Sequence, residues 1–137
     1  MQIGVDAARA VENRRVFVVD DDDITATVLQ FMLQDENETH LLTDLAALAT
    51  APLMPDLLLV GVALLAAHGA PSALKTECGG ARLLAVADRD ASTAAEWATS
   101  AGADGVLWKP LTVETVRRAV DRQLGRRTEL HIPVAVR

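Results

Sequence analysis

Residues 16–23 read Val16-Phe17-Val18-Val19-Asp20-Asp21-Asp22-Asp23. A run of β-branched and aromatic residues stops at an acidic cluster, and a helical pattern starts at once. A continuous apolar run of this length is the signature of a parallel strand buried on both faces. In an open α/β sheet the carboxyl end of such a strand faces the crevice where ligands sit, so the acidic cluster falls in the site region. Asp22 and Asp23 have two readings, as site carboxylates or as a cap that complements the dipole of the next helix. Asp20 and Asp21 have little structural use at a strand end, because their mutual repulsion makes it costly to keep both ionised.

From this stretch the rest of the chain falls into alternation. Ile24, Val28, Leu29, Phe31, Met32 and Leu33 recur at helical spacing and predict a first helix ending near Gln34. Thr39–Thr43 reads as a short second strand, with His40 a surface residue, and Leu45–Ala49 as a second helix that stops before Pro52. Leu57-Leu58-Leu59-Val60 is the most strongly buried strand pattern. Beyond Gly61 the glycines and Pro71 leave room for one short helix, around Ser72–Glu77. Leu83–Ala87 is a fourth strand, and Thr93 with Glu96 suggests a capping box opening a fourth helix that ends at Gly102. Val106–Trp108 is a fifth strand. Thr112 caps a fifth helix, Val113–Leu124, that Gly125 terminates.

Strands alternating with helices over short connections predict a doubly wound α/β fold with a parallel sheet. The domain is expected over residues 15–125, with a loose leader over 1–14 carrying a helical turn near Val5–Val11, and a tail over 126–137. At 137 residues the chain fits one domain with a real core. Half the residues are hydrophobic but only 3% are aromatic, so that core must be Ala, Leu and Val. A net charge of −6 argues against non-specific nucleic-acid binding, which needs Lys and Arg to neutralise phosphates. The single cysteine, Cys78, rules out an internal disulfide and suits a reducing cytoplasm. No apolar stretch approaches the roughly 20 residues that span a bilayer, and the amino terminus lacks the apolar core of a signal peptide.

The motifs in order resemble the bacterial response-regulator receiver domain, the CheY-like phosphoacceptor module of two-component and phosphorelay signalling. The carriers are Val18-Val19-Asp20-Asp21, Pro55-Asp56-Leu57-Leu58-Leu59-Val60, Ala101-Gly102-Ala103-Asp104-Gly105 and Trp108-Lys109-Pro110-Leu111. The resemblance covers about Arg15 to Leu124 and implies a flavodoxin-like sheet in the order 2-1-3-4-5. It also implies an acidic pair that holds Mg²⁺, matched by Asp20 and Asp21, and a phosphoryl-contacting lysine, matched by Lys109. The other parts are missing. The phosphoacceptor aspartate falls on Gly61, the hydroxyl on Ala87, the aromatic switch on Val106, and the Met-Pro after the acceptor loop on Leu64-Leu65.

The sequence therefore leads to a degenerate receiver that is not an enzyme, requires no cofactor and binds Mg²⁺ only weakly through Asp20 and Asp21. It would act alone in the cytoplasm as an adaptor, meeting protein partners through the face of the fourth helix, fifth strand and fifth helix. The alternative is a sensor for a small molecule or metal near Gly61, Ala87 and Lys109. Lys109 is expected to pair with Asp20 and Asp21. Trp97 is read as core, on a stripe with Ala94, Ala98 and Ala101, ahead of the alternative of an exposed anchor for a partner. Arg117, Arg118, Arg122, Arg126 and Arg127 form a basic patch, read either as a solvated face or as a docking site.

Overall fold

The computed structural model describes residues 14–126. Five strands, β1 (Arg14–Val19), β2 (Asn37–Leu42), β3 (Leu57–Gly61), β4 (Arg82–Ala87) and β5 (Gly105–Trp108), form one parallel sheet in the order β2-β1-β3-β4-β5. Five α-helices connect and flank them: α1 (Asp23–Leu33), α2 (Val62–His68), α3 (Pro71–Glu77), α4 (Ser92–Ser100) and α5 (Val113–Leu124). The doubly wound fold and its strand order are as the sequence predicts.

The period-2 alternation of each central strand divides the core into two layers. Val16, Val18, Leu57, Leu59, Leu84 and Val86 face α1 and α5, meeting Leu29, Leu33, Val116 and Val120. Phe17, Val19, Leu58, Val60, Leu83 and Ala85 face α2, α3 and α4, meeting Leu65, Leu74, Ala95 and Ala98. Leu57–Val60 are fully buried, each side chain contributing about 1.5–3 kcal/mol by transfer from water. Cys78 lies in the second layer, where burial pushes its thiol up, the behaviour of a core residue rather than a redox centre.

Several local expectations need correction. The stretch after Asp44 is a 3₁₀ turn over Leu45–Thr50, not an α-helix. Beyond Gly61 there are two helices, not one. The Val62–His68 segment is helical because Val62 and Leu65 pack inward, a pattern that fewer than two turns are too short to advertise. Thr93 caps nothing. Helix α4 begins at Ser92 with Ala91 at its N-cap and no side-chain cap bond. By contrast, Thr112 and Thr115 form the reciprocal cap of α5, and Gly125 ends it in the left-handed conformation. The expected turn near Val5–Val11 lies outside the described residues, as does most of the tail.

The glycine-rich motif before β5 is a brace. Gly102 has φ of +122°, and a methyl group there would stand 2.7 Å from Cβ of Ser72. Asp104 accepts from the Leu83 amide at 2.8 Å and from Lys75 Nζ at 2.9 Å. This ties β4, β5 and α3 together at the end of the sheet away from the acidic cluster.

Candidate functional site

The carboxyl ends of β1, β3, β4 and β5 converge on one corner that holds Asp20, Gly61, Ala87 and Lys109. Asp20 follows β1 directly and is 8% exposed. Its Oδ1 accepts the Asp22 amide at 2.9 Å. The rest of its carboxyl lies over Gly61: a Cβ at Gly61 would stand 3.0 Å from both Cγ and Oδ2 of Asp20. A side chain at position 61 would therefore press on the neighbouring strand's carboxylate, which would have to give by a few tenths of an ångström. Burial pushes the Asp20 carboxyl up, and the adjoining Asp21 adds to this, while the Asp22 amide and the Lys109 charge oppose it. Asp21 itself is exposed.

Asp22 is the N-cap of α1, accepting from the Ile24 amide at 3.1 Å and the Thr25 hydroxyl at 2.8 Å. The Thr25 hydroxyl leads in holding the Asp22 carboxyl below the usual range, with the Ile24 amide and Lys109 assisting. Asp23 lies in the first turn. The capping reading of these two residues is the one the fold realises.

Lys109 directly follows β5, and its amide donates to the Ala87 carbonyl at 2.9 Å. Its ammonium does not pair with Asp20 and Asp21 as expected. The carboxylates within ion-pair range are Asp22 at 3.9 Å and Asp88 at 3.8 Å. The reason is geometric: Asp20 is turned onto Gly61, and the N-cap and the residue after β4 stand closer to the lysine. Asp88 escaped the sequence reading, although an acid directly after a buried strand, on the same edge as Asp20, was an available signal. Asp56 lies at the opposite end of β3, where its amide donates to the Arg15 carbonyl at 2.8 Å and its side chain accepts the Arg15 amide at 2.8 Å. It cannot serve position 61.

Ala87 belongs to the corner; the other predicted residues stand apart from it. Ala87 is buried, 1% exposed. Val106 is partly buried and, with Ala95 and Trp108, lines a cleft of about 480 Å³ between α4 and β5, rimmed by Ser92, Glu96, Thr99 and Ser100. Arg89 lies 5.9 Å over the Trp108 ring and donates to the Lys109 carbonyl at 3.2 Å. Trp97 is not core. It is 38% exposed, because Ala95 and Ala98 take the inward side of α4. The basic patch is dispersed: Arg117 faces Asp35 and Glu36, Arg118 pairs with Glu114, and Arg126 pairs with buried Asp121 at 2.9 Å. Arg127 lies outside the described residues.

A magnesium ion does not fit these donors well. Mg²⁺ demands octahedral oxygen ligation from carboxylates and waters. Here one of the two expected carboxylates is folded onto Gly61 and bonded to an amide, and position 61 offers no third. Among the described residues no group of three His, Cys, Asp or Glu side chains is arranged to hold a metal ion. Nor is any helix among them long and apolar enough to cross a membrane.

No protein-family model and no curated protein sequence matches the chain. Solved structures do. NtrX from Brucella abortus superposes with a TM-score of 0.69 at 19% identity, over 82% of this chain and 27% of that one. Full-length FixJ from B. japonicum gives 0.68 at 16%, over 82% and 58%. The chain therefore spans well under two thirds of either protein. The receiver domain of the sensor histidine kinase PA1611 from Pseudomonas aeruginosa, which coordinates a magnesium ion in its active-site cleft, gives 0.65 at 18%, over 82% and 98%. Sheet order, helix placement and these superpositions agree: the chain has the fold of a response-regulator receiver domain.

Proposed function

We propose that this is a pseudo-receiver of a two-component or phosphorelay system, which takes up no phosphoryl group at the usual site and works as a protein–protein interaction adaptor. The observation that carries the proposal is the Asp20 carboxyl lying over Gly61. Phosphoryl uptake on a receiver needs a carboxylate nucleophile at the end of β3. Here that place has no side chain and so no nucleophile, and the Asp20 carboxylate stands against it. Ala87 has no hydroxyl to follow added charge, and Val106 no ring to reorient. The module has no enzymatic step of its own and requires no cofactor, and Asp20 and Asp21 bind Mg²⁺ weakly. The partner face is that of α4, β5 and α5, where Trp97 is exposed and the cleft over Val106 is open. A cytoplasmic setting is supported by the lone buried thiol of Cys78. A sensor of small molecules near Gly61, Ala87 and Lys109 is the weaker reading, since the Asp20 carboxyl narrows the space beside Gly61.

The test is intact mass after incubation with Mg²⁺ and acetyl phosphate, or with a cognate kinase. The expected result is an unchanged mass. A stoichiometric, hydroxylamine-sensitive phosphoadduct overturns the proposal.

A further inference from the structure

Helix α1 is apolar on both sides. Its inner side, including Ala26, Leu29 and Leu33, packs on the sheet. On its outer side Ile24 and Phe31 are 75% and 72% exposed, more than any other large hydrophobic residue among those described. Val28, partly buried, stands between them. The spacing i, i+4, i+7 sets the three in one line along the helix. A helix apolar all round is ordinarily covered, and an exposed line of this kind marks a contact surface. Carboxylates bracket it. Asp21 and Asp23 are exposed at the amino end, and Asp35 and Glu36 lie at the carboxyl end with Arg117 at 3.9 and 4.0 Å. An occupant that matches is apolar in the middle and positive at both ends.

The described residues end just past the carboxyl end of α1. The Arg126 guanidinium donates to Asn37 Oδ1 at 2.8 Å and to the Glu36 carbonyl at 3.4 Å, at the carboxyl end of α1. The sequence that follows is Arg127-Thr128-Glu129-Leu130-His131-Ile132-Pro133-Val134-Ala135-Val136-Arg137. Its apolar residues stand between Arg127 and Arg137, with one acid among them. We propose that segment 127–137 docks along the outer face of α1, its apolar side chains over Ile24, Val28 and Phe31 and its later arginine toward Asp21 and Asp23. Eleven residues reach at most about 36 Å, more than twice the roughly 16 Å of an eleven-residue helix. Two other occupants suit the charges less well. Segment 1–13 carries Asp6 and Glu12 against Arg9 alone. A second copy packed antiparallel would set Asp21 and Asp23 against Asp35 and Glu36.

The chain has three isoleucines, Ile3, Ile24 and Ile132, one in each of these three segments. Methyl-labelled isoleucine in the full chain therefore gives three assignable signals. The expected result is a nuclear Overhauser contact between Ile132 and Ile24 or the Phe31 ring, with loss of that contact and a shift of the Ile24 methyl on Val134→Asp. Phe31→Ser should shift the Ile132 methyl in turn. The proposal is overturned by a contact from Ile24 to Ile3, or by an Ile24 signal that moves on dilution as it would in a dimer. It is equally overturned by an Ile24 methyl that touches neither segment and ignores Val134→Asp, which leaves the face to an outside partner.

Discussion

Asp20 carries an unfavourable charge. Burial raises its proton affinity, and Lys109 and the Asp22 amide recover only part of the cost. The sign follows from linkage. A carboxyl with a raised folded-state pKa disfavours folding when both states are ionised, and stability rises as pH falls through the folded value. Asp20→Asn keeps an acceptor for the Asp22 amide and removes the charge. It should leave stability at neutral pH unchanged or raise it, as read by urea unfolding; a loss above about 1 kcal/mol would contradict this account. Lys109 supplies the corner's positive charge from partly exposed pairs at 3.8 and 3.9 Å, each worth no more than about 1 kcal/mol. Wild-type protein should therefore bind Mg²⁺ no better than millimolar, and Lys109→Met, which leaves Asp20, Asp21, Asp22 and Asp88 without their counter-charge, should bind it more tightly. Calorimetric titration of both proteins decides this, and micromolar binding by the wild type would refute it.

Two elements hold the sheet ends. At the β1–β2 edge, Glu38 accepts from Arg15 Nε at 2.7 Å and lies 2.8 Å from His40 Nε2, and the Arg15 guanidinium leads in holding its carboxyl down to about 2. A depressed pKa gives support that is present above the unfolded value and lost as pH falls through the folded one. The window is thus 4.5 down to about 2. Glu38→Gln should flatten the fall of stability across it; an identical acid limb in the variant would show that the pair does nothing. At the other end, the Gly102 turn admits no side chain, being both left-handed and within 2.7 Å of Ser72. Gly102→Ala should cost about 1–3 kcal/mol, measured by thermal unfolding, by displacing the start of α3 from β5. A cost near zero would mean that the turn relaxes freely.

At the scale of the molecule, a receiver changes state because added phosphoryl charge biases a bistable element. An effector moves an equilibrium only by its differential interaction with the two states. With Gly61, Ala87 and Val106 in place, that difference has lost its carriers, so one resident conformation is expected. Beryllofluoride with Mg²⁺ should leave the backbone amide spectrum unchanged in the wild type. In Gly61→Asp the new Cβ asks the Asp20 carboxyl to give by only a few tenths of an ångström, but Ala87 and Val106 remain, so restoring the aspartate alone should not create a switch. Wild-type shifts spreading through β4, β5 and α4 would refute the single-state reading.

Sequence alone determined the alternation of strands and helices and hence the parallel sheet, because continuous buried strands and their polar ends are written at short range in runs such as Val16–Asp21 and Leu57–Gly61; the strand order came from the resemblance of the motifs to receiver domains. Short elements stayed hidden. Val62–His68 spans less than two turns, and the Leu45–Thr50 turn differs from an α-helix only in its hydrogen bonds. What the tertiary structure alone decided was the pairing of charges and the facing of helices. Which carboxylates Lys109 meets, that Asp20 lies over Gly61, and that Trp97 and the outer face of α1 are exposed all depend on distances between strands and helices far apart in sequence. Periodicity says that a helix has an apolar side; only packing says whether anything covers it.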